Sequence, residues 1–334
     1  MKQYKLFLKN ISITFLLGSF FFFSLLIGLG YFFIGKNVYT KGAQNIKYWI
    51  EVKNKKAEEL SSQGNKIIFL SGSNALQGID SKYFQEELKL PVLNYGIHAA
   101  FGSYIFEQVK EVVKPNDIIV LPLEFIYYDK SNIKSTESPF MEYLISFLPN
   151  EYKKANLYDK FVISLFLIQN WVCHPTFNFE KNKDISVKKE EINEYGDFIA
   201  HIGTTDKFLK TKNAQVDILE NLPSSSEYNR FPLYKFIQYC KGNNIKLYAI
   251  APNYYHEKEY TKDEIIAFEK IKLFYKEQGV DFIGKINDGA LNNKEFFFDT
   301  AYHTNVEGTK IRTKWLIENI FSIPAIKNIN VIRI

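Results

Sequence analysis

From Asn10 to Gly35 the chain carries no charged residue, and ISITFLLGSFFFFSLLIGLGYFFI fills the middle of that run. About 20 apolar residues cross a bilayer as a helix, so the pattern predicts a transmembrane helix over 10–35 with room for tilt. The run is longer than a typical signal-peptide core, and no A-x-A cleavage site follows it. An uncleaved signal anchor is therefore favoured, with a cleaved signal peptide as the alternative. A second apolar run, Phe161 to Val172, follows Asp159-Lys160 and stops after about a dozen residues, short of a span.

Downstream of the span the pattern changes period. Residues 39–63 set Ile46, Trp49, Ile50 and Leu60 among Lys and Glu and end near Gly64, which predicts a juxtamembrane helix. KIIFL (66–70) is a continuous apolar run, and the polar stretch SGSNALQG (71–78) follows it. A short helix is predicted over 81–88 and a second strand over PVLNYG (91–96). A helix over 103–113 places Ile105, Val109, Val112 and Val113 on one face, and PND (115–117) turns into a third strand, IIVLPLE (118–124). Apolar strands without alternation, separated by helices, indicate a parallel sheet covered on both faces.

The same pattern resumes near residue 229. A helix over 229–242 leads into KLYAIAP (246–252), and Thr261-x-x-Glu264 reads as a capping box opening a helix that closes at Gly279. A strand at 280–284, the loop FFFDTAYHTN and a helix at 306–320 complete the domain, leaving 321–334 as a tail. The interval 125–228 reads as a mostly helical insertion whose charged stretch, 181–198, is expected to be a solvated loop. The expected organisation is thus a cytoplasmic N-terminus (1–9), the span (10–35), the juxtamembrane helix (36–63) and one α/β domain (64–320).

Composition narrows the function classes. Apolar residues make up 46% and charged residues 24% of the 334, enough for a packed core and against wholesale disorder. Basic residues number 42 and acidic residues 37, but Lys2, Lys5 and Lys9 supply much of the excess, and Arg occurs only at 230, 312 and 333. Without concentrated Arg-rich charge, a nucleic-acid partner is not expected. Cys173 and Cys240 allow at most one disulfide, and no Cys/His cluster has zinc spacing, so Cys173-His174 is no metal site and neither metal nor cofactor is expected. Lysines 36, 41 and 47 flank the span on its far side too, so the positive-inside rule votes weakly. The size of the downstream domain favours its placement outside the cytoplasm.

In an open parallel sheet, ligands collect at the carboxyl ends of the strands. Three segments leaving such ends bear reactive groups: Ser71-Gly72-Ser73-Asn74, Asn94-Tyr95-Gly96, and Asp299 with His303. A Ser, a His and an Asp brought together perform acyl transfer, the His taking the Ser proton and the Asp fixing the imidazole tautomer. Glycines at 72 and 96 would let backbone N–H groups approach an oxyanion. Each residue also has a plainer reading. Ser73 and Asn74 would cap the following helix. His303 would be a loop histidine. Glu124 would be a structural partner of His98 or of a Tyr hydroxyl rather than a catalytic acid, and His98 would line the pocket or pack beneath it. Asn253, Tyr254 and Tyr255 would contact substrate or simply pack, and His201 and His256 have no evident partner.

The order and spacing of these blocks over 64–125 and 228–320 resemble the SGNH (GDSL-like) hydrolase superfamily. The likeness is to its membrane-anchored bacterial branch, related to polysaccharide O-acetyltransferases and the teichoic-acid D-alanyl-transfer protein. Gly72-Ser73-Asn74 with Gly78 corresponds to the first block, Gly96 to the second, and Asp299, His303, Asn305 and Gly308 to the last. The resemblance implies a flavodoxin-like three-layer α/β/α fold and a Ser/His/Asp site, with Ser73, His303 and Asp299 catalytic. Gly72, Asn74, Asn94, Gly96, His98 and Glu124 would then line the substrate or oxyanion side. Three positions depart from the family: Asn74 stands where the nucleophilic serine belongs, Pro122-Leu123-Glu124 stands where an oxyanion-hole Asn is usual, and the Asp-to-His interval is one residue longer.

Two functions follow as expectations. One is a membrane-anchored esterase or O-acyltransferase acting on a cell-envelope polysaccharide, with a membrane-bound acyl-donor protein as partner. The chain would sit in a bacterial cytoplasmic membrane by a single pass, with its main domain periplasmic or extracellular. The alternative is a catalytically inactive SGNH-like module that binds glycan or scaffolds polysaccharide assembly. A receptor ectodomain has only the single span in its favour.

Overall fold

A computed structural model of the chain describes residues 2–33, 41–129, 138–148, 152–153, 156–173, 191–200, 222–320, 323 and 326. His174, His201, most of the charged stretch and nearly all of the tail fall outside the described residues. The chain forms two compact units, residues 1–47 with 136–187 and residues 48–135 with 188–334. The insertion expected at 125–228 is thereby divided: its middle belongs with the N-terminal helix, its ends with the sheet.

In the first unit α1 (Lys2–Phe33) begins earlier than the charge-free run, and Phe7–Leu29 within it is long and apolar enough to cross a membrane. The insertion supplies two further helices, α6 (Ser138–Phe147) and α7 (Leu157–Cys173). The helix α2 (Lys41–Ser61) falls where 39–63 was expected, and its residues from Tyr48 onward belong to the second unit. There Ile50, Ala57 and Leu60 are buried.

The second unit is built on a parallel five-stranded sheet of β1 (Ile67–Phe69), β2 (Val92–Asn94), β3 (Ile118–Leu121), β4 (Lys246–Ile250) and β6 (Asp281–Ile283), in the order β2-β1-β3-β4-β6. Phe69 is in register with Asn94 on one side and Val120 on the other, so β1 and β2 end level and β3 runs one residue further. Every residue of β1, β2 and β3 is buried, the pattern of strands covered on both faces. Ile67, Phe69, Phe84, Val92, Val120 and Leu316 belong to one apolar core that joins the sheet to α4 (Ser81–Leu88) and α10 (Val306–Ile320). Those two helices, α8 (Pro232–Gly242) and α9 (Lys262–Glu277) lie where the periodicity put them, and the Thr261–Glu264 capping box is formed.

The structure departs from expectation in four places. Helix α5 spans only Tyr104–Val109; beyond it the bonds are mixed, Glu111 to Gln108 and Val112 to Val109 being the tighter kind and Val113 to Val109 the α kind, before Pro115. Residues 73–78, a polar stretch for which no element is predicted, form α3 (Ser73–Gly78). Tyr254–Tyr255 form β5, paired in parallel with β7 (Ala290–Leu291). The described part of the charged stretch is no solvated loop. Ile192 bridges Phe198, the Asn94 N–H donates to Tyr195 O along the free edge of β2, and Asp197 is buried.

Candidate active site

The loops that leave β1, β2, β3 and β4 emerge at one edge of the sheet, and the first two remain laddered beyond the strands. The Tyr95 N–H donates to Phe69 O at 2.8 Å and the Ile97 N–H to Ser71 O at 3.1 Å. This carries Gly72 against the 98–100 backbone, where a Cβ on Gly72 would stand 2.9 Å from the Ala99 Cα. A Cβ on Gly96 would stand 2.3 Å from Leu76 N, so α3 sits directly on that glycine.

Glu124, at the end of the loop after β3, reaches across to hold α3. Its Oε1 accepts the Asn74 N–H at 2.8 Å, and its Oε2 accepts the Gly72 N–H at 3.0 Å and lies 2.7 Å from Ser71 Oγ. The cap of α3 is therefore a carboxyl from another strand. Neither Ser73 nor Asn74 caps the helix, since the N-cap position is Gly72 and no side chain there makes the bond. Burial pushes the Glu124 carboxyl above its ordinary range, more than the bonds from Asn74, Ser71 and Gly72 pull it down. Ser71 Oγ also lies 2.7 Å from Pro122 O.

Asn94 sits beneath the site as a structural hub. Its Nδ2 donates to Ala75 O at 2.7 Å and to Asp197 Oδ1 at 2.9 Å, while its Oδ1 accepts the Gly96 N–H at 2.9 Å. Asp197 also takes the hydroxyl and N–H of Ser81. The Lys53 ammonium donates to Asn94 O at 2.9 Å and to Gly196 O. Burial lowers the Lys53 pKa to about 7, against the opposing pull of Asp197. Burial likewise raises the Asp197 carboxyl.

On the other side of α3, residues 297–304 form a tight loop in which Phe297 bridges Thr304 and the Phe298 N–H donates to His303 O. Within it Asp299 Oδ1 and His303 Nδ1 are 2.6 Å apart, with the His side chain 13% and the Asp side chain 44% exposed. Asp299 thus holds Nδ1 and leaves Nε2 as the nitrogen able to take a proton. The longer Asp-to-His interval does not prevent the pairing. Asn305 Oδ1 accepts the Gly308 N–H at 3.1 Å and so opens α10. The loop is fixed to α3 by Thr304 Oγ1 donating to Gln77 O. Asn253 links the two as well: Asn74 Nδ2 donates to Asn253 O at 3.0 Å and Asn253 Nδ2 to Tyr302 O at 2.8 Å.

The sequence-predicted residues are placed as follows. Asp299 and His303 are brought together. Ser73 lies in the first turn of α3, 8% exposed, and among the described residues no hydrogen bond joins its hydroxyl to His303. The amides of Gly72 and Gly96 were expected to serve an oxyanion and are instead committed to Glu124 and Asn94. Asn74 and Asn94 are structural and fully buried, and Asn74 Oδ1 has no hydrogen-bond partner. Glu124 pairs with the α3 turn, and the bonds it accepts are neither from His98 nor from a Tyr hydroxyl. His98 Nδ1 accepts the Ala100 N–H and caps the 3₁₀ turn Ala99–Phe101. Tyr254 and Tyr255 are buried, and His256 stacks on Tyr260 at 4.1 Å between centroids.

Sequence reasoning missed Lys53, Asp197 and Asn253 as supports, since each acts through partners 40 or more residues away. Among the described residues no group of three or more His, Cys, Asp or Glu is placed to hold a metal. No protein-family model matches the sequence and no curated protein matches it, so the chemistry of the site has to be argued from its own geometry.

Proposed function

We propose that the chain is a membrane-anchored, SGNH-like protein that makes or breaks ester bonds on a cell-envelope polysaccharide. His303 takes the Ser73 proton through Nε2, Asp299 holds the imidazole by Nδ1, and Ser73 attacks the acyl carbon; the bond to the donor's alcohol or thiol breaks, and that group leaves with the proton from His303. Water or a sugar hydroxyl then releases the acyl group, and a membrane-bound acyl-donor protein supplies it in the transfer case. The observation that carries this reading is the 2.6 Å Asp299–His303 pair, fixed to α3 through Thr304 and Asn253. Counting only its own strands, the sheet runs 2-1-3-4-5, which supports flavodoxin-like layering with ligands at the carboxyl ends. The apolar α1 supports a single membrane span; the proposal sets it in a bacterial cytoplasmic membrane, residues 1–9 inside and the sheet unit outside, where tethering would concentrate the protein near envelope glycans.

Hydrolysis of a chromogenic acetyl ester by the full chain in detergent tests the reading. Turnover is expected, lost in Ser73→Ala and reduced about 10²- to 10⁴-fold in His303→Ala. A second reading, an inactive glycan-binding module, is favoured by one observation: the amides of Gly72, Asn74 and Gly96 are all engaged within the protein. Absent turnover together with retained polysaccharide binding in His303→Ala would establish it.

A further inference from the structure

The first unit holds more than one apolar helix. The Phe23 and Phe161 rings meet with centroids 4.8 Å apart, and the Tyr152 hydroxyl donates to Ile27 O at 3.4 Å. Moving back from 161 to 152 therefore moves forward along α1 from 23 to 27, so the inserted segment runs antiparallel to α1. Leu26, between those two contact positions on α1, is buried, whereas Phe15, Phe20 and Phe21 are exposed. All these α1 residues lie inside the stretch long enough to span a membrane.

Resting on the reading that α1 crosses a membrane, we propose that α7 is a second membrane-embedded element, re-entering the bilayer beside α1, with lipid acyl chains as its partner. The apolar stretch FVISLFLI (161–168) begins at the level of Phe23 and continues toward the N-terminal half of the span. Its eight residues descend about 11 Å at 1.5 Å each. The whole 17-residue helix, about 26 Å long, is shorter than the hydrocarbon core of about 30 Å. It is therefore too short to cross the core by itself, and Gln169-Asn170 lie in its last turns, at the deep end of the element. Leu165 is exposed on α7, and Leu157 and Tyr158 are exposed at its mouth, ahead of Asp159-Lys160. Tyr and charged residues at that level suit the membrane interface. Acyl chains, rather than a partner protein, are the occupant because the apolar surface of α7 continues the exposed lipid-facing surface of α1 at the same depth.

Wild-type full-length protein in proteoliposomes is photolysed with a lipid-soluble aryl diazirine and the adducts are mapped. Adducts in 161–168 as well as in 11–25 are expected; adducts in 11–25 alone overturn the inference. A nitroxide at Leu165→Cys, compared with Phe21→Cys and Tyr83→Cys in a Cys173→Ser/Cys240→Ala background, gives an independent measure. The label at 165 should collide with oxygen in preference to a nickel chelate, as at 21; behaviour like that at the exposed Tyr83 overturns the inference. A water-accessible label at 21 as well overturns the span reading and this inference with it, leaving the acyl-transfer reading untouched.

Discussion

Ser71 Oγ has a single proton and two oxygens at 2.7 Å, Pro122 O and Glu124 Oε2. A carbonyl and a carboxylate both accept, so the one hydroxyl proton is divided between them and Glu124 receives less than a full hydrogen bond from Ser71. Burial disfavours the charged form and lifts the pKa above its ordinary 4.5. The sign of the linkage follows. Between the unfolded and folded pKa values the folded state binds the extra proton, so this group's contribution is full below about 4.5 and falls as pH rises toward the folded value. Denaturant unfolding of the full chain between pH 4 and 8 should show that decline, and Glu124→Gln should flatten it. The amide nitrogen cannot accept the Gly72 N–H, so the same variant should also lose about 1–3 kcal/mol. A variant with an unchanged pH slope would show that Glu124 is already ionised in the folded protein.

At the scale of elements, α3 shows what a sequence conceals. Six residues are too few to be helical by propensity alone. Every end of α3 is finished by a distant group: Glu124 at the N-terminus, Asn94 on Ala75 O, the Phe198 N–H on Leu76 O, and Thr304 and Thr309 on Gln77 O. No local cap exists for a reader to find, whereas α9 announced itself through Thr261 and Glu264. The core strands were legible for a similar reason, being continuous apolar runs, while β5 and β7 are two residues each and carry no such run. The Asp299–His303 pair was legible because four residues separate its members; the Glu124 clamp was not, because fifty separate it from Asn74. Gly96→Ala should shift α3, since its Cβ would meet the Leu76 backbone at 2.3 Å, and should destabilise the protein by about 1–3 kcal/mol. At the opposite end of the sheet, Lys66 and Asp117 form a buried pair at 2.6 Å, and Asp117 also accepts the N–H groups of Lys66 and Lys114. Asp117→Ala leaves that ammonium uncompensated and should cost about 3–5 kcal/mol in unfolding measurements. A cost near zero would show that Lys66 sheds its proton on losing its partner.

At the scale of the whole molecule, the long interval between the third and fourth strands of the sheet has two jobs. Residues 191–200 return to cover the edge of β2 and supply Asp197, and helices α6 and α7 join the unit of α1. An edge strand left open is a template for wrong pairing, so the returning segment is part of the sheet's stability as well as a support for Asn94. Asp197→Ala should therefore lower stability by about 3–5 kcal/mol, because it also leaves Lys53 buried beside carbonyls alone. α1 is long and apolar enough to cross a membrane, and the sheet unit carries Ser73, Asp299 and His303, which the proposed function makes a working nucleophile. Fluorophosphonate labelling of the full-length protein, with peptide mapping of the adduct, tests this most directly. An adduct on Ser73 that disappears in His303→Ala is expected. An adduct on Ser71 would contradict the residue assignment, and no adduct on demonstrably folded protein would contradict the serine mechanism.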